Sequence, residues 1–521
     1  NVKTLNSQTN KIALAHDLNL TCATSSSKST YIGHNIKGSA SSGASWTFSC
    51  STVIGSDMNF VANHSWGSGL VRSSVIGHNI NYNSYGQSYV TMMGENLTFK
   101  GDYLRDSNVI GRNVDISAYN SSGSGIWSGY NSVPRLSLLG SYVTLNSDNS
   151  ISNTLATGSF IDVRTKNDGG IAESGFIGSN ININSSKDIT YSYAIGSRIN
   201  VNSSNGSLYS YVLGSSIDIN QANGTDQNSF VAGRQITINN TCATRSLNTL
   251  MTAIQGTFTN VSGSESPIYG QRLSATNANI TNSPIFGENI RTCSTTVDFS
   301  PLIGQGHSLC GTTANYSPVM GQNIYLTNAK TDYTPIIGQG INLVSTNQAR
   351  YSTILGSALS LVGTRVERTT ILGTQSSFGS GNITDSVFLG SGLGIASNIN
   401  VTSSVLIGRT STITTNTSCA TAIGSGNNVQ ANNSHSLGNG IIANLDNSVY
   451  LGDQSTYTAR NNTTTLGNVS MPSGSSNNVV GVVAVAGNGQ TRRIQGVAEG
   501  LISNQSTDAV NGAQLYAAMA N

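Results

Sequence analysis

Charge is scarce in this 521-residue chain: charged residues make up 9%, 25 basic against 23 acidic, for a formal net charge of +2. So neutral a chain has no long-range field to steer it toward nucleic acid or an anionic membrane, and no basic run supplies one locally. The few carboxylates form no recurring pair, which argues against a glycan-cleaving β-helix enzyme working through clustered acids. Long apolar runs are missing too. The longest, residues 479–487, is broken by Gly481 and falls far short of the roughly 20 residues that span a bilayer. The first fourteen residues lack the basic and apolar regions of a signal peptide, so the chain is expected to be a mature or excised piece. Cysteine is limited to six residues with no CxxC or Cys/His cluster at zinc spacing, and no metal or cofactor is expected. Gly304-Gln305-Gly306 and Gly390-Ser391-Gly392 have no lysine at phosphate-loop spacing and read as turn glycines.

What is present is a repeat. A glycine preceded by two apolar residues returns about every seventeen positions, as at Gly287, Gly304, Gly321 and Gly338. The same signature marks Gly33, Gly55, Gly77, Gly94, Gly111, Gly140, Gly178, Gly196 and Gly214, and runs on through Gly356, Gly373, Gly390, Gly408, Gly424, Gly438 and Gly452. A unit this short cannot bury its own apolar face, so neighbours must stack into a shared core, which predicts an all-β solenoid. Registered apolar positions also separate the chain from a disordered polar tract.

Each rung reads as two arms. After the glycine, apolar residues stand three and five positions on, as in Gly178, Ile181, Ile183 and Gly214, Ile217, Ile219. That alternation predicts a strand with one buried and one wet face. Before the glycine the two apolar residues are adjacent, so they point to opposite faces and the arm is expected to be buried on both sides. A second apolar column over so many rungs would be a large exposed patch, and another chain is its simplest cover. The position two before the glycine, at Phe176, Val212 and Val319, is assigned to that interface. The glycine itself is expected where a Cβ would clash or φ must be positive. An asparagine two positions later, as at Asn35, Asn79, Asn96, Asn113, Asn180, Asn289 and Asn323, is expected to line up from rung to rung.

Cys293 and Cys310 hold equal phase, six residues after Gly287 and Gly304. Adjacent rungs about 4.8 Å apart lie inside the Cα separation that a disulfide tolerates, so a Cys293–Cys310 bond is expected. Cys22 and Cys50 are candidates to pair across the first turn, while Cys242 and Cys419 are too many rungs apart and are expected to be free or interchain. Disulfides suit an oxidising, extracellular setting.

The last forty residues are the most specific. Val482-Val483-Ala484-Val485-Ala486-Gly487, Arg492-Arg493-Ile494, Val497-Ala498 and Asp508-Ala509-Val510-Asn511-Gly512-Ala513-Gln514-Leu515 together resemble the head-to-neck junction of trimeric autotransporter adhesins. The repeats upstream resemble the YadA-type head. The resemblance implies a left-handed parallel β-roll forming a homotrimer, with a short C-terminal neck helix leading to a coiled-coil stalk. It divides the chain into an N-terminal cap (1–30), a YadA-like β-roll head (31–478), a head-to-neck transition (479–507) and a neck helix or start of the stalk (508–521). Ser506 and Thr507 suit the helix N-terminus. The resemblance further implies a non-enzymatic adhesin head on a bacterial surface, held in the outer membrane through a C-terminal region not in this chain. Its partners would be a host cell-surface receptor, such as one of carcinoembryonic-antigen type, or a matrix protein such as collagen, fibronectin or laminin. A structural role in autoaggregation and biofilm is the alternative. Spacing near the family's fourteen residues occurs only at Gly424, Gly438, Gly452 and Gly467, and cysteines are foreign to the pattern; both departures make transfer of a particular ligand unsafe.

Oversized rungs hold all three tryptophans: Trp46, Trp66 and Trp127. These residues, with Tyr119 and Tyr130 in the loop around Trp127, are candidate ligand contacts, since long loops carry function and Trp and Tyr anchor interfaces. The competing reading packs them under their own loops. His34 and His78 follow rung glycines, but Glu95 and Arg112 take the same position elsewhere, so it reads as a tolerant polar site. Asn-x-Ser/Thr triplets, among them Asn19, Asn63 and Asn96, are what chance supplies in so Asn- and Ser-rich a chain.

Overall fold

The computed structural model describes residues 2–4, 10–21, 26–39, 47–61, 69–83, 87–101, 104–118, 133–240 apart from 168, 209 and 223–226, and 246–344 apart from 317 and 334. It further describes 348–457, with short gaps between 351 and 420, and 481–520 apart from 488, 490, 504, 505 and 507. The chain forms two compact units, residues 1–300 and 301–521.

In the first unit each rung contributes a strand that runs through its glycine, such as Thr52–Val61, Ser74–Asn83, Leu155–Thr165 and Gly175–Ser185. Successive strands pair in parallel with glycine opposite glycine: Gly55 with Gly77, Gly77 with Gly94, Gly111 with Gly140, Gly178 with Gly196. From residue 268 the long strand divides into two short ones per rung, Ile268–Gln271 and Leu273–Thr276 being the first pair, and a third short strand, Asn279–Thr281, stacks on Ser262–Ser264. Parallel pairing already begins in the segment expected to be a cap, with Ile12–Ala15 beside Thr30–His34. Ala15 takes the glycine's place in that rung, and Ala253 does so opposite Gly233. Neither rung carries the signature glycine, which hid both from pattern reading.

The core is a set of columns. Residues three and five after the glycine, such as Ile181, Ile183, Ile217 and Ile219, are buried as the alternation requires. A third apolar column comes from two positions before the glycine: Val53, Val75, Phe176 and Val212 are all at most 7% exposed within the single chain. The fourth column is polar. Ser51, Ser73, Ser174, Ser192 and Ser210, four before their glycines, are nearly fully buried. Each hydroxyl accepts the backbone N–H of the preceding rung, as Ser73 Oγ does from Ser51 N (3.1 Å) and Ser174 Oγ from Thr154 N (3.1 Å). The same hydroxyl donates to the carbonyl two residues back in its own rung, Ser174 to Ala172 at 2.8 Å. Backbone donors at this corner, which have no ladder partner, are thereby satisfied inside the fold.

The second unit is also a parallel solenoid. Leu302–Gln305, Val319–Gln322 and Ile336–Gln339 stack in register through Gly304, Gly321 and Gly338. Beyond residue 354 the pairing thins to short strands, Val366–Glu367 beside Ile383–Thr384, and to isolated bridges, Ile354 with Ile371 and Val387 with Val405. From Val405–Ile407 onward the rungs shorten, and Thr421–Ile423, Ser436–Leu437 and Tyr450–Leu451 follow one another as parallel neighbours. Leu406, Ala422 and Tyr450 point inward there, again from two before the glycine. His307 occupies an inward position that Ile324 and Ile341 fill in later rungs. It is buried, and its Nε2 lies 3.1 Å from the Met320 carbonyl. Burial pushes its pKa down.

One helix, Gly512–Ala520, closes the described chain. Its φ angles are positive from Ala513 to Met519, a left-handed winding, and it buries no residue. It starts four residues later than the expected neck helix.

Candidate functional site

The glycine column sets the geometry of both long surfaces of the first unit. A Cβ built on Gly55 would lie 1.9 Å from the Gly33 carbonyl oxygen, and one on Gly77 only 1.7 Å from that of Gly55. The glycine is therefore a close-approach position. Immediately after it the ladder skips one pair, between Gly178–Gly196 and Asn180–Arg198 for example, so the strand turns a corner.

That corner corrects the interface assignment. Phe176, Val212 and Val319 fill the core of their own chain and are 0%, 7% and 0% exposed. The outward residue is the one directly before the glycine. Ile76, Met93, Ile110, Leu139, Ile177 and Ile195 are between 37% and 51% exposed, and all but Ile76 border a groove floored by the glycine column. Uniform alternation would put the residues two before and three after the glycine, five positions apart, on opposite faces. The corner between them restores both to the inside. The expected apolar column exists, displaced by one residue.

The asparagine column is made in the early rungs, at Asn35, Asn79, Asn96 and Asn113. Asn35 Nδ2 donates to Asp17 Oδ1 (2.7 Å), Asn96 Nδ2 to Asn79 Oδ1 (2.9 Å) and Asn113 Nδ2 to Asn96 Oδ1 (2.6 Å). Asn35, Asn79 and Asn96 have φ of 50–54°, the left-handed region that asparagine tolerates better than most residues. The Asn35 amide, with His16 at 3.0 Å, holds the Asp17 carboxyl below its ordinary pKa. Position one after the glycine carries surface polar contacts: His34 Nε2 lies 3.0 Å from Asp57 Oδ2, and Arg112 Nη1 pairs with Glu95 Oε1 at 3.1 Å. Among the described residues no group of three or more His, Cys, Asp or Glu side chains is arranged to hold a metal.

Beyond the corner, a second and polar groove of about 830 Å³ runs over the rungs from Tyr142 to Asn239. Asn182 Nδ2 donates to Asp162 Oδ1 (2.8 Å) and Asn200 Nδ2 to Asn182 Oδ1 (3.0 Å). A parallel column links Asn184, Asn202, Asn220 and Asn239. Tyr142 and Phe160 replace asparagine at one edge, their rings stacked 4.9 Å apart and 3° from parallel. The sequence reading missed this pair, although two aromatics in an asparagine column are a visible signal.

The loop candidates Trp46, Trp66, Tyr119, Trp127 and Tyr130 lie outside the described residues, as do Cys22 and Cys242. Cys50, Cys293 and Cys419 are free thiols, so the expected Cys293–Cys310 bond is not formed in this structure, and the Cys22–Cys50 pairing falls outside the described residues. Cα separation alone is too permissive a criterion. Equivalent side chains on neighbouring parallel rungs stand about 4.8 Å apart, whereas a disulfide draws its Cβ atoms to about 3.5–4.5 Å.

Near the C-terminus, Asn511 Nδ2 reaches the Val497 carbonyl (2.5 Å) and Gln514 Nε2 the Gly500 carbonyl (2.6 Å), tying the last segment back on the stretch before it. Residues 493–521 match the family model described as the coiled stalk of trimeric autotransporter adhesin. No curated protein matches the chain. Among solved structures, the PL6 family alginate lyase AlyGC aligns over 87% of this chain and 94% of its own, at 8% identity and a TM-score of 0.22, too loose a likeness to carry an argument.

Proposed function

We propose that this chain is the head-bearing portion of a trimeric autotransporter adhesin on a bacterial surface, a binding rather than catalytic protein. The observation that carries this reading is the stalk match at residues 493–521, directly downstream of a parallel solenoid. Three copies pack through the outward apolar column, with Ile110, Leu139, Ile177 and Ile195 against their neighbours, and residues 508–521 begin the three-stranded stalk. The roll is left-handed, and the anchor in the outer membrane lies beyond this chain. The outer surfaces of the trimer meet a host cell-surface receptor or matrix protein. Three chains and many copies per cell multiply moderate contacts into avidity without a deep pocket.

Binding of the purified chain to epithelial cells, beside surfaces coated with single matrix proteins, tests this reading. Saturable binding to either supports it, and protease treatment of the cells separates a protein receptor from other targets. Concentration-dependent association of the chain with itself, with no binding to cells or matrix, would replace it with autoaggregation.

A further inference from the structure

Between Tyr142 and Asn239 the outer face beyond the glycine corner has a composition that neither packing nor trimer formation explains. Strands Leu136–Ser147, Leu155–Thr165, Gly175–Ser185, Tyr193–Ser203, Tyr211–Gln221 and Gln227–Asn240 stack in register, so side chains two, four and six positions after each glycine form three parallel columns. The middle column, with Asp162, Asn182 and Asn200, floors the groove. Asn182 spends one N–H on Asp162 and one oxygen lone pair on Asn200, as Asn202 and Asn220 do with their neighbours in the outer column, and the second N–H and second lone pair of each are left for whatever lies above. The result is a row of paired donors and acceptors repeating at about the rung spacing of 4.8 Å.

Three features narrow what such a row can hold. The groove is shallow and crosses rung after rung, so it fits an extended ligand that itself repeats, not a compact one. Its charges are balanced: Asp162 is held by Arg164 at 2.8 Å, and Arg198 and Asp218 both line it. Its aromatic edge is flat, with Tyr142 and Phe160 52% and 44% exposed. A peptide would seek a free strand edge or apolar side-chain pockets, and a sheet face of amides offers neither. A chain of hydroxylated rings is met on both counts, since hydroxyls pair with amides and the C–H faces of sugars lie against aromatic rings.

We propose that this groove binds a linear, neutral polysaccharide along the stacking direction, with the Asn182/Asn200 and Asn220/Asn239 columns taking its hydroxyls and the Tyr142/Phe160 pair seating one ring. The proposal deepens the adhesin reading by naming the chemistry of a target.

The test measures binding of the intact chain to immobilised mannan, galactan and β-glucan, with hyaluronan as the acidic comparison. Saturable binding to a neutral polymer is expected, weakened about tenfold, or roughly 1.4 kcal/mol, in Tyr142→Ala/Phe160→Ala. Both rings are half exposed, so melting of that variant should match the parent. An Asn182→Ala/Asn200→Ala variant reports on the amide columns independently. Binding to none of the polymers, binding to hyaluronan alone, or neutral binding that survives both variants would overturn the proposal. Cell binding of the same proteins is measured in parallel. Cells bound equally by parent and Tyr142→Ala/Phe160→Ala sink the groove and leave the adhesin reading intact, whereas loss of all cell and matrix binding by the parent sinks the adhesin reading itself.

Discussion

The long rungs of residues 52–240 and the short rungs of residues 405–457 obey one rule with different means. In both, the residue two before the glycine points inward and the one directly before it outward: Phe176 and Ile177 in the first, Ala422 and Ile423 in the second. Yet the first set is built from strands of ten or more residues in continuous register, and the second from strands of two or three. In the short rungs, turn side chains supply much of the stitching, Asn433 to Asn447 at 2.7 Å and Cys419 Sγ near Asn433 at 3.9 Å. Which residues face the core therefore follows from the corner at the glycine, while strand length is free to vary.

The sharpest break of that comparison sits at adjacent residues. Phe176→Asp puts an unpaired charge into the core and should cost about 3–5 kcal/mol, abolishing cooperative melting of the first unit. Ile177→Asp, one residue on, should leave circular dichroism and melting of the dissociated chain unchanged while shifting its mass by light scattering from trimer to monomer. If the two variants exchanged phenotypes, the inward and outward columns would be reversed.

Glycine separates the two regions next. Gly77→Ala must fit a Cβ against the Gly55 carbonyl, whereas nothing lies within 4 Å of a Cβ on Gly438. The first should destabilise by about 1–3 kcal/mol in urea unfolding, because overpacking forces the rungs apart, and the second by less than about 0.5 kcal/mol. Ala15 and Ala253 show that the stack takes up a methyl at particular rungs, each in register with the neighbouring glycine.

Ser174→Ala should cost about 1–2 kcal/mol, the penalty for leaving the Thr154 N–H buried without its acceptor. A matched change at an exposed serine of the same rung, Ser179→Ala, should be nearly neutral in the same titration.

The smallest effect is a pH dependence confined to the second unit. Because burial lowers the pKa of His307, the unfolded chain binds its proton more readily than the folded one. Its contribution is intact above the ordinary histidine value of 6.5 and erodes as pH falls below it. Melting followed from pH 8 to 5 should show that loss, and His307→Leu, which restores the residue type of the neighbouring core column, should remove it.

Much of this was legible beforehand. Registered apolar residues around a recurring glycine define a solenoid, and Ile181, Ile183, Ile217 and Ile219 face inward as alternation demands. Alternation fails only at the corner, where a skipped pair resets the parity, which is why Val212 was placed outside and Leu213 was not. The buried serine column was invisible for another reason: serine reads as a surface residue, and its burial here depends on an N–H donated by a different rung. The Tyr142/Phe160 pair becomes apparent only once Gly140 and Gly158 are known to be consecutive.

The serine column has a direction. Thr154 needs the hydroxyl of Ser174, and Ser174 needs that of Ser192. Each of these two rungs therefore stays one bond short until its successor arrives, as a zip is open at its slider. Because Ser174, Gly178 and Ile181 return in the same phase at Ser192, Gly196 and Ile199, one whole repeat can be excised or duplicated without mismatching any column. Evolution can then lengthen or shorten this unit in whole steps, and a deletion of part of a step should jam it.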